Sequence, residues 1–226
     1  MTSEKRTTIE AFLTHFEQKG IETGYFEVAK IKELHKTCCH NATTEVIDFD
    51  KTNKKLVAEA KLFTPKSCDC LKIRPKNKSI DLIEMKGFAH MLNNFNKEKV
   101  DEKEKEIDEK INKSIENFNL LTKIEDSINL LNMLVIKKEF ERTLDDVKSY
   151  RDTQLNFIVL TDTDTLLDSG FKYFVFANYF LSHYSDSIEN YIGNQLNTEL
   201  SNIPQINYKL NKPTLKTCSE IDAYLL

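Results

Sequence analysis

The chain has 226 residues, of which 40% are hydrophobic and 30% charged, and its formal net charge is −4. This length and hydrophobic content suit one domain over residues 1–226, and the negative charge excludes a protein held on nucleic acid by bulk charge alone. No run approaches the ~18 apolar residues of a membrane span, and five cysteines at irregular spacing favour reduced thiols over a disulfide framework. We therefore expect an intracellular protein without membrane contact, cytoplasmic or, in a eukaryote, nuclear.

The first predicted elements are two helices. Apolar residues at helical spacing indicate a helix over residues 7–19 that ends at Gly20. A second helix is predicted at about 23–38, and both helices are expected to pack on the core. Residues 44–50 and 55–63 are predicted strands, with a short helix as the alternative for the second of them.

Several thiol and imidazole side chains lie near the end of the predicted second helix, and two further cysteines lie at the start of the apolar run at 68–73. Their spacing fits no familiar zinc finger. Free cysteine is commonly a buried core residue, so the sequence favours core cysteines over a zinc site. The set consists of His35, Cys38, Cys39, His40, Cys68 and Cys70.

Two short apolar runs follow, at residues 68–73 and 79–88. They flank a polar loop at 74–78 that contains Pro75. Proline followed by polar residues is typical of a turn, so the two runs are predicted to form a β-hairpin.

The second strand of this hairpin carries two charges in an apolar setting. Side chains alternate along a strand, so Glu84 and Lys86 point to the same side. Burial of charge is costly unless the charges are paired or bind a metal, and Asp69 on the first strand supplies a second carboxylate. These residues therefore predict a functional site. The apolar neighbours divide between the faces, with Ile80 and Leu82 beside Glu84, and Ile83 and Met85 on the other face.

An acidic residue, a β-turn and Glu-x-Lys on the next strand resemble the PD-(D/E)xK nuclease superfamily. The chain shows Asp69 and, after fourteen intervening residues, Glu84-Met85-Lys86. One feature departs from the family pattern, because no proline directly precedes Asp69 and the nearest is Pro65. A single motif of this kind is a hypothesis that needs its structural context.

The resemblance covers about residues 25–95 and the strand at 155–161, and it implies an αβββαβ core. It also implies that Asp69 and Glu84 hold Mg²⁺ (or Mn²⁺) and that Lys86 lies near the attacking water and the scissile phosphate. In the family, the helix before the sheet often adds a carboxylate. Glu33 and Glu45 are both candidates for it, and the predicted metal set is Asp69, Glu84 and Glu45.

The hairpin loop is the most basic part of the chain. Lys72, Arg74, Lys76 and Lys78 occur there with no acidic residue among them. They predict a nucleic-acid contact that binds phosphates close to the active face. The alternative is an edge loop that only aids solubility.

Residues 97–140 combine a highly charged first half with an apolar stripe that widens in the second half. Glutamate and lysine at i,i+4 spacing support an exposed helix. We interpret the segment as a long helical insertion, or a helical hairpin, that packs on another helix of the same chain or of a partner.

The clearest strand lies at 155–161 and is followed by aspartates within 162–164, which are either helix caps or a second metal site. Residues 171–184 are rich in aromatic side chains, which suits core or interface packing, or stacking on bases. Residues 186–200 are a predicted helix, and the tail from 203 is predicted to be irregular.

Together these elements predict an α/β or α+β domain with a central mixed sheet of about four to five strands, flanking helices and a restriction-endonuclease-like core. The predicted function is a metal-dependent nuclease acting on DNA or RNA. The alternative is a non-catalytic interaction or scaffold protein that works through its long charged helix. The expected partners are nucleic acid and, through residues 97–140, a second copy or another protein.

Overall fold

The computed structural model describes residues 8–35, 38–60, 65–88, 109, 112–162, 188–203 and 209–225. Within these residues a single mixed sheet carries helices on both faces. The predicted α/β class and central mixed sheet are confirmed.

The described sheet has six strands, and they lie across the sheet in chain order. Neighbours are antiparallel from the first to the fourth strand, whereas the fourth, fifth and sixth are parallel. The count exceeds the four to five predicted, because one strand forms within the predicted second helix and another within the tail predicted to be irregular. The strands are β1 (Val28–Lys30), β2 (Glu45–Asp48), β3 (Cys70–Arg74), β4 (Ser79–Lys86), β5 (Gln154–Thr161) and β6 (Thr214–Thr217).

The helices surround this sheet, and the described residues also include a 3₁₀ turn at Lys138–Phe140. The last helix lies in the tail that the sequence predicts to be irregular. The helices are α1 (Ile9–Glu22), α2 (Ile31–Leu34), α3 (Phe49–Ala60), α4 (Leu120–Ile136), α5 (Leu144–Arg151), α6 (Ile188–Asn202) and α7 (Cys218–Leu225).

Two hydrophobic cores lie on opposite faces of the sheet. The first contains Ile80 and Leu82 of β4 together with residues of α1, α3 and α4. The second contains Ile83 and Met85 of β4 together with residues of α2 and α7. The predicted alternation of the hairpin strand is therefore confirmed, and Glu84 and Lys86 lie on the side of the first core.

Helix α1 continues two residues past Gly20, where the sequence predicted its end. A Cβ atom on Gly20 would overlap the ring of Phe26. The backbone N of Phe26 also donates a hydrogen bond of 2.8 Å to the Gly20 oxygen. This glycine is therefore explained by close packing of the next segment and not by a helix stop.

The predicted second helix over residues 23–38 is wrong except for the one-turn α2. Phe26 is buried in the first core, whereas Ile31 is buried in the second core. A single straight helix cannot bury residues on both sides of a sheet. The chain instead crosses the sheet edge as strand β1, which pairs with β2.

The predicted strand at 55–63 is replaced by helix α3, which supports the helical alternative. Phe49 and Leu56 are seven positions apart, which is about two helical turns, and both are buried in the first core. Lys51 and Lys54 are exposed on the outer side. Helical spacing of the apolar residues therefore decided the local structure.

Residues 97–140 are not one continuous helix in the part that the structure describes. Residues 112–116 are helical, the chain turns at 117–119, and Asn119 has φ 49° before α4 begins. The apolar stripe of α4 is buried within this chain, in the first core. Helix α4 thus belongs to the connection between the parallel strands β4 and β5. Residues 97–108 lie outside the described residues.

None of the helices in the described ranges is long and apolar enough to cross a membrane. The aromatic segment predicted at 171–184 and the aspartate at position 164 lie outside these ranges.

Candidate active site

Asp69 and Glu84 are neighbours at one end of the β3–β4 hairpin. The last register pair of the two strands is Cys70 with Ile83, so Asp69 lies one position further, opposite Glu84. The Oδ2 atom of Asp69 accepts a hydrogen bond of 2.6 Å from the backbone N of Met85. The two carboxylates predicted from the sequence therefore come together in space.

Glu84 is a buried carboxylate that two ammonium groups contact. Its side chain is 0% exposed, and its Oε1 atom accepts a hydrogen bond of 2.5 Å from the Nζ of Lys123 on α4. The same oxygen pairs with the Nζ of Lys86. Both lysine side chains are 18% exposed, so the ammonium groups lie between the buried carboxylate and the protein surface.

The electrostatic environment disfavours the charge on Glu84. Burial raises the pKa of Glu84 and the charge of Asp69 raises it further, while Lys86 and Lys123 act to lower it, and the net shift is upward. Burial acts to lower the pKa of Lys123, but the interactions with nearby acidic groups, Glu84 first and then Asp69, raise the pKa on balance. Within the described part of the chain, Oε2 of Glu84 has no hydrogen-bond partner. An additional cation at this oxygen would therefore stabilise the ionised carboxylate.

A third carboxylate, Asp50, lies beside this pair in the first turn of α3. The backbone N of Phe49 donates to the backbone O of Asp69 at 3.0 Å, and this contact brings the start of α3 to Asp69. Burial raises the pKa of Asp50 and the charge of Asp69 raises it further. The Oδ1 atom of Asp50 accepts a hydrogen bond of 3.3 Å from the Ser67 hydroxyl.

The sequence prediction missed Asp50 because residues 44–50 were assigned wholly to a strand. Asp48 provides the signal that could have corrected this. Its Oδ1 atom accepts a hydrogen bond of 2.9 Å from the backbone N of Lys51, which is the contact of a helix-capping aspartate. An aspartate at the end of a strand can thus mark a helix start, which places the carboxylate of Asp50 in the first helical turn.

A cleft with a volume of 390 Å³ opens in front of Asp50 and Asp69, and the buried Glu84 lies behind them. Lys51 and Lys54 also line it, so the local charge is predominantly but not entirely negative. An acidic cleft of this kind attracts a cation and repels an anion. An anionic substrate therefore binds there readily only after a cation has bound. The acidic lining residues are Glu27, Glu33, Asp48, Asp50 and Asp69.

Of the two candidates for a further carboxylate, the structure places Glu33 in this cleft and Glu45 elsewhere. Glu45 begins β2 and lies opposite Lys30 in the strand register. Asp48, at the other end of β2, lies opposite Cys70 beside the site. Three residues of strand separate the two ends by about 10 Å. The position of Glu45 therefore does not support its prediction as a metal ligand.

The predicted nucleic-acid contact lies at the far end of the hairpin. The strand from Cys70 to Arg74 has five residues, so the loop is about 17 Å from Asp69. The prediction that the loop lies close to the carboxylates is therefore not supported. Arg74 pairs with the buried Asp81 at 3.4 Å, and the Nζ of Lys72 donates to a backbone oxygen at 2.8 Å. Lys76 and Lys78 are exposed at the turn.

The predicted strand at 155–161 forms β5, and Asp162 directly follows it. The Oδ1 atom of Asp162 accepts a hydrogen bond of 2.7 Å from the backbone N of Phe88, just after β4. Burial lowers the pKa of His35, while the charges of Asp69 and Asp162 act in the opposite direction. Asp162 therefore lies at the same end of the sheet as the Asp69–Glu84 pair, where it links β4 and β5.

The cysteines depart from the prediction of separate reduced core thiols. Cys39 and Cys218 form a disulfide across 179 positions of sequence, and Cys38 is buried beside it with its Sγ 3.6 Å from that of Cys218. Cys68 and Cys70 are buried free thiols in opposite cores. Burial raises the pKa of both thiols.

Comparison with protein-family models, with curated proteins and with solved structures gave no match to this chain. Support for a function therefore comes from the geometry and electrostatics of the site.

Proposed function

We propose that this protein is a metal-dependent nuclease of the PD-(D/E)xK type, which hydrolyses phosphodiester bonds in DNA or RNA. The observation that carries the proposal is the pairing of Asp69 and Glu84 across the hairpin, with Lys86 on the same strand face as Glu84. The acid, the Glu-x-Lys strand and the turn between them have the arrangement that the sequence resemblance implies.

The connection order of the sheet also supports a restriction-endonuclease-like core. Strands β2, β3 and β4 are consecutive and antiparallel, helix α4 follows, and β5 returns parallel to β4. With α1 before the sheet, these elements have the order α, three strands, α, strand that the resemblance implies. On this proposal, β1, α2 and α3 are additions at one side, and β6 is an addition at the other.

The residues at the site fit a divalent cation. Asp69 and Glu84 would hold Mg²⁺ or Mn²⁺, with Asp50 as the third carboxylate in place of the predicted Glu45. The fit rests on the unpaired, buried Oε2 atom of Glu84 and on the repulsion of Asp50 and of Glu84 by the charge of Asp69. Mg²⁺ prefers oxygen ligands and binds through one or two carboxylates plus substrate phosphate. When bound, such a metal polarises the phosphoryl group and lowers the pKa of a coordinated water.

Two lysines supply positive charge at the reaction centre. Lys86 would position the attacking water or stabilise the charge that develops on the phosphate. Lys123, on helix α4, donates a hydrogen bond to the oxygen of Glu84 that Lys86 also contacts. We therefore assign Lys123 a positioning role, because its contact in this structure is to Glu84.

Substrate binding must act against the negative charge of the chain. Lys51 and Lys54 line the acidic cleft, and the basic loop lies about 17 Å along the hairpin. That separation equals about five base steps at 3.4 Å each. Because the two cores cover both faces of the hairpin, a substrate at the carboxylates would contact Lys51 and Lys54 first, and would reach Lys76 and Lys78 only by passing round the sheet.

The alternative is a non-catalytic interaction protein in which Glu84 is only part of a structural ion pair. The observation that favours it is the pairing of Glu84 with both Lys86 and Lys123. In addition, the ligand oxygens of Asp50, Asp69 and Glu84 are not all within 4.8 Å of one another, since the only described group of three or more that meets this distance is formed by cysteines. The long charged helix that this alternative requires lies mainly outside the described residues.

The test is cleavage of mixed DNA and RNA substrates with Mg²⁺ or Mn²⁺, measured for the wild type and for Asp69→Asn and Glu84→Gln. Both variants should lose metal-dependent cleavage while their circular dichroism spectra remain unchanged. Glu45→Gln is the matched control, because it changes a glutamate of the same sheet at the other end of β2. Wild-type rates in both site variants would show that the site assignment is wrong.

A further inference from the structure

Three cysteine sulfurs from two distant parts of the chain lie close together on the sheet face that carries the second core. The Sγ of Cys38 lies 3.4 Å from that of Cys39 and 3.6 Å from that of Cys218. Of all described cysteine, histidine and acidic residues, these alone form a group of three or more whose ligand atoms lie within 4.8 Å of one another. We call this group the cysteine trio.

The loop and the helix that carry the trio are joined by a second set of contacts. Asp222 in α7 accepts hydrogen bonds from the backbone N atoms of Thr43 and Thr44, both at 3.0 Å. Its carboxylate also accepts from both hydroxyl groups. Burial acts to raise the pKa of Asp222, but these hydrogen bonds together outweigh it and lower the pKa. The trio is therefore held together by contacts other than the sulfur atoms.

We propose that the trio, in its reduced form, binds Zn²⁺ through three thiolates. Tetrahedral zinc with Zn–S bonds of about 2.3 Å sets neighbouring sulfurs about 3.8 Å apart. The two distances from Cys38 are close to this value, so separation of the Cys39 and Cys218 sulfurs after reduction completes a zinc-sized triangle. Thiolates favour Zn²⁺ over Mg²⁺, which prefers oxygen ligands. The fourth position is left to water or another small ligand.

The disulfide between Cys39 and Cys218 is the oxidised alternative to this metal site. A dithiol reductant breaks the sulfur–sulfur bond by two exchange steps, becomes a disulfide itself and leaves two thiols on the chain. Zn²⁺ then binds as the three thiols of the trio release their protons to solvent. Oxidation by a small-molecule disulfide reverses these steps and expels the metal. The trio therefore joins the loop after α2 to α7 in both states, by zinc when reduced and by a covalent bond when oxidised.

The first test is zinc binding by the full chain after reduction and removal of the reductant without oxygen. A chelating dye that competes for Zn²⁺ measures both stoichiometry and affinity. We expect one zinc per reduced chain and none at the trio after oxidation. Cys38→Ser and Cys218→Ser should each lower the affinity at least about tenfold, since loss of a ligand costs no less than loss of a residue that supports one.

Cys68→Ser is the matched control, because Cys68 is a buried free thiol in the first core, away from the trio. It should retain wild-type zinc affinity. A second readout needs no variant, since Co²⁺ in place of Zn²⁺ should give the charge-transfer absorption of cobalt–thiolate bonds in the reduced wild type. Absence of that absorption, or equal zinc affinity in Cys218→Ser and the wild type, would overturn the proposal. Because neither readout measures nuclease activity, the result is independent of the proposed function.

Discussion

The Nζ atom of Lys123 donates a hydrogen bond of 2.5 Å to Oε1 of Glu84, although 39 positions separate the two residues. Helix α4 thereby binds directly to the strand that carries the Glu-x-Lys motif. The connection between β4 and β5 thus does more than join two parallel strands, because it supplies a charged group to the candidate active site.

The first prediction concerns this contact. Lys123→Met removes one of two cations from a fully buried carboxylate, and Lys86 remains. We expect a decrease of about 2 kcal/mol in the free energy of unfolding, the usual size for a hydrogen bond to a charged group that leaves its partner buried. Urea denaturation measures it. The same change in combination with Glu84→Gln should cost less than the sum of the single changes.

Lys148→Met is the control for that experiment. Lys148 contacts Asp145 at 3.4 Å, but its side chain is 76% exposed. Exposed pairs contribute at most about 1 kcal/mol, so this variant should be nearly as stable as the wild type. Equal decreases in the two lysine variants would show that the Lys123–Glu84 contact has no special energetic role.

The second prediction is a pH dependence of metal binding. The pKa values of Glu84 and Asp50 are both raised, in each case by burial first and by Asp69 second. Both carboxyls therefore keep their protons to a higher pH than usual, and protons compete with Mg²⁺. Apparent Mg²⁺ affinity should rise with pH through these raised values, and binding should release protons. Calorimetry in two buffers of different ionisation enthalpy measures the release, and Glu45→Gln should leave it unchanged.

The third prediction concerns the stability of the metal-free protein, whose pH dependence follows from the raised pKa values of Glu84 and Asp50. The folded chain holds protons on Glu84 and Asp50 more tightly than the unfolded chain does. The free energy of unfolding should therefore decrease as the pH rises from the unfolded pKa values towards the raised folded ones. Thermal denaturation across this range should show a shallower decrease for Glu84→Gln. A steeper decrease in that variant would contradict the assigned direction of the Glu84 shift.

The fourth prediction concerns the apolar stripe of α4. Ile124 and Leu131 are each 0% exposed within the first core, so each change to Ala should cost about 2–5 kcal/mol. Leu121 on the same helix is 36% exposed, and its change to Ala should cost much less. Denaturation measures the decrease in stability, and light scattering tests the expected self-association through residues 97–140. Dissociation of an oligomer by Leu121→Ala with unchanged monomer stability would place an interface on the outer side of α4.

The fifth prediction concerns the basic loop. Lys76 and Lys78 are exposed at the turn, so their joint change to Glu leaves the fold intact. If they bind phosphates, affinity should weaken and the slope of log K against log salt should fall by about one unit for each phosphate that is no longer bound. Fluorescence anisotropy over a salt series measures the slope. Unchanged binding would assign the nucleic-acid contact to another surface, for which Lys51 and Lys54 in the cleft are the next residues to change.

Local sequence patterns were enough to predict the hairpin and the strand face of its charges. A turn signal at residues 74–78 and alternation of apolar residues are local properties, and they placed Glu84 and Lys86 on one side of β4 correctly. The helix at α1 and the strand at β5 follow from local periodicity in the same way. Asp69 could be assigned to the site because its partner strand is the next one along the chain.

Which distant residues complete the site depends on how the helices and strands pack in three dimensions. Lys123 comes from a helix whose apolar face could have packed on this chain or on a partner. Asp50 joins the site because the chain leaves β2 as a helix, whereas Glu45 remains at the opposite end of that strand. The cysteine trio likewise depends on α7, which brings Cys218 to the loop at Cys38 and Cys39. Helical and strand periods report which face of an element is apolar, but they do not report which other element covers that face.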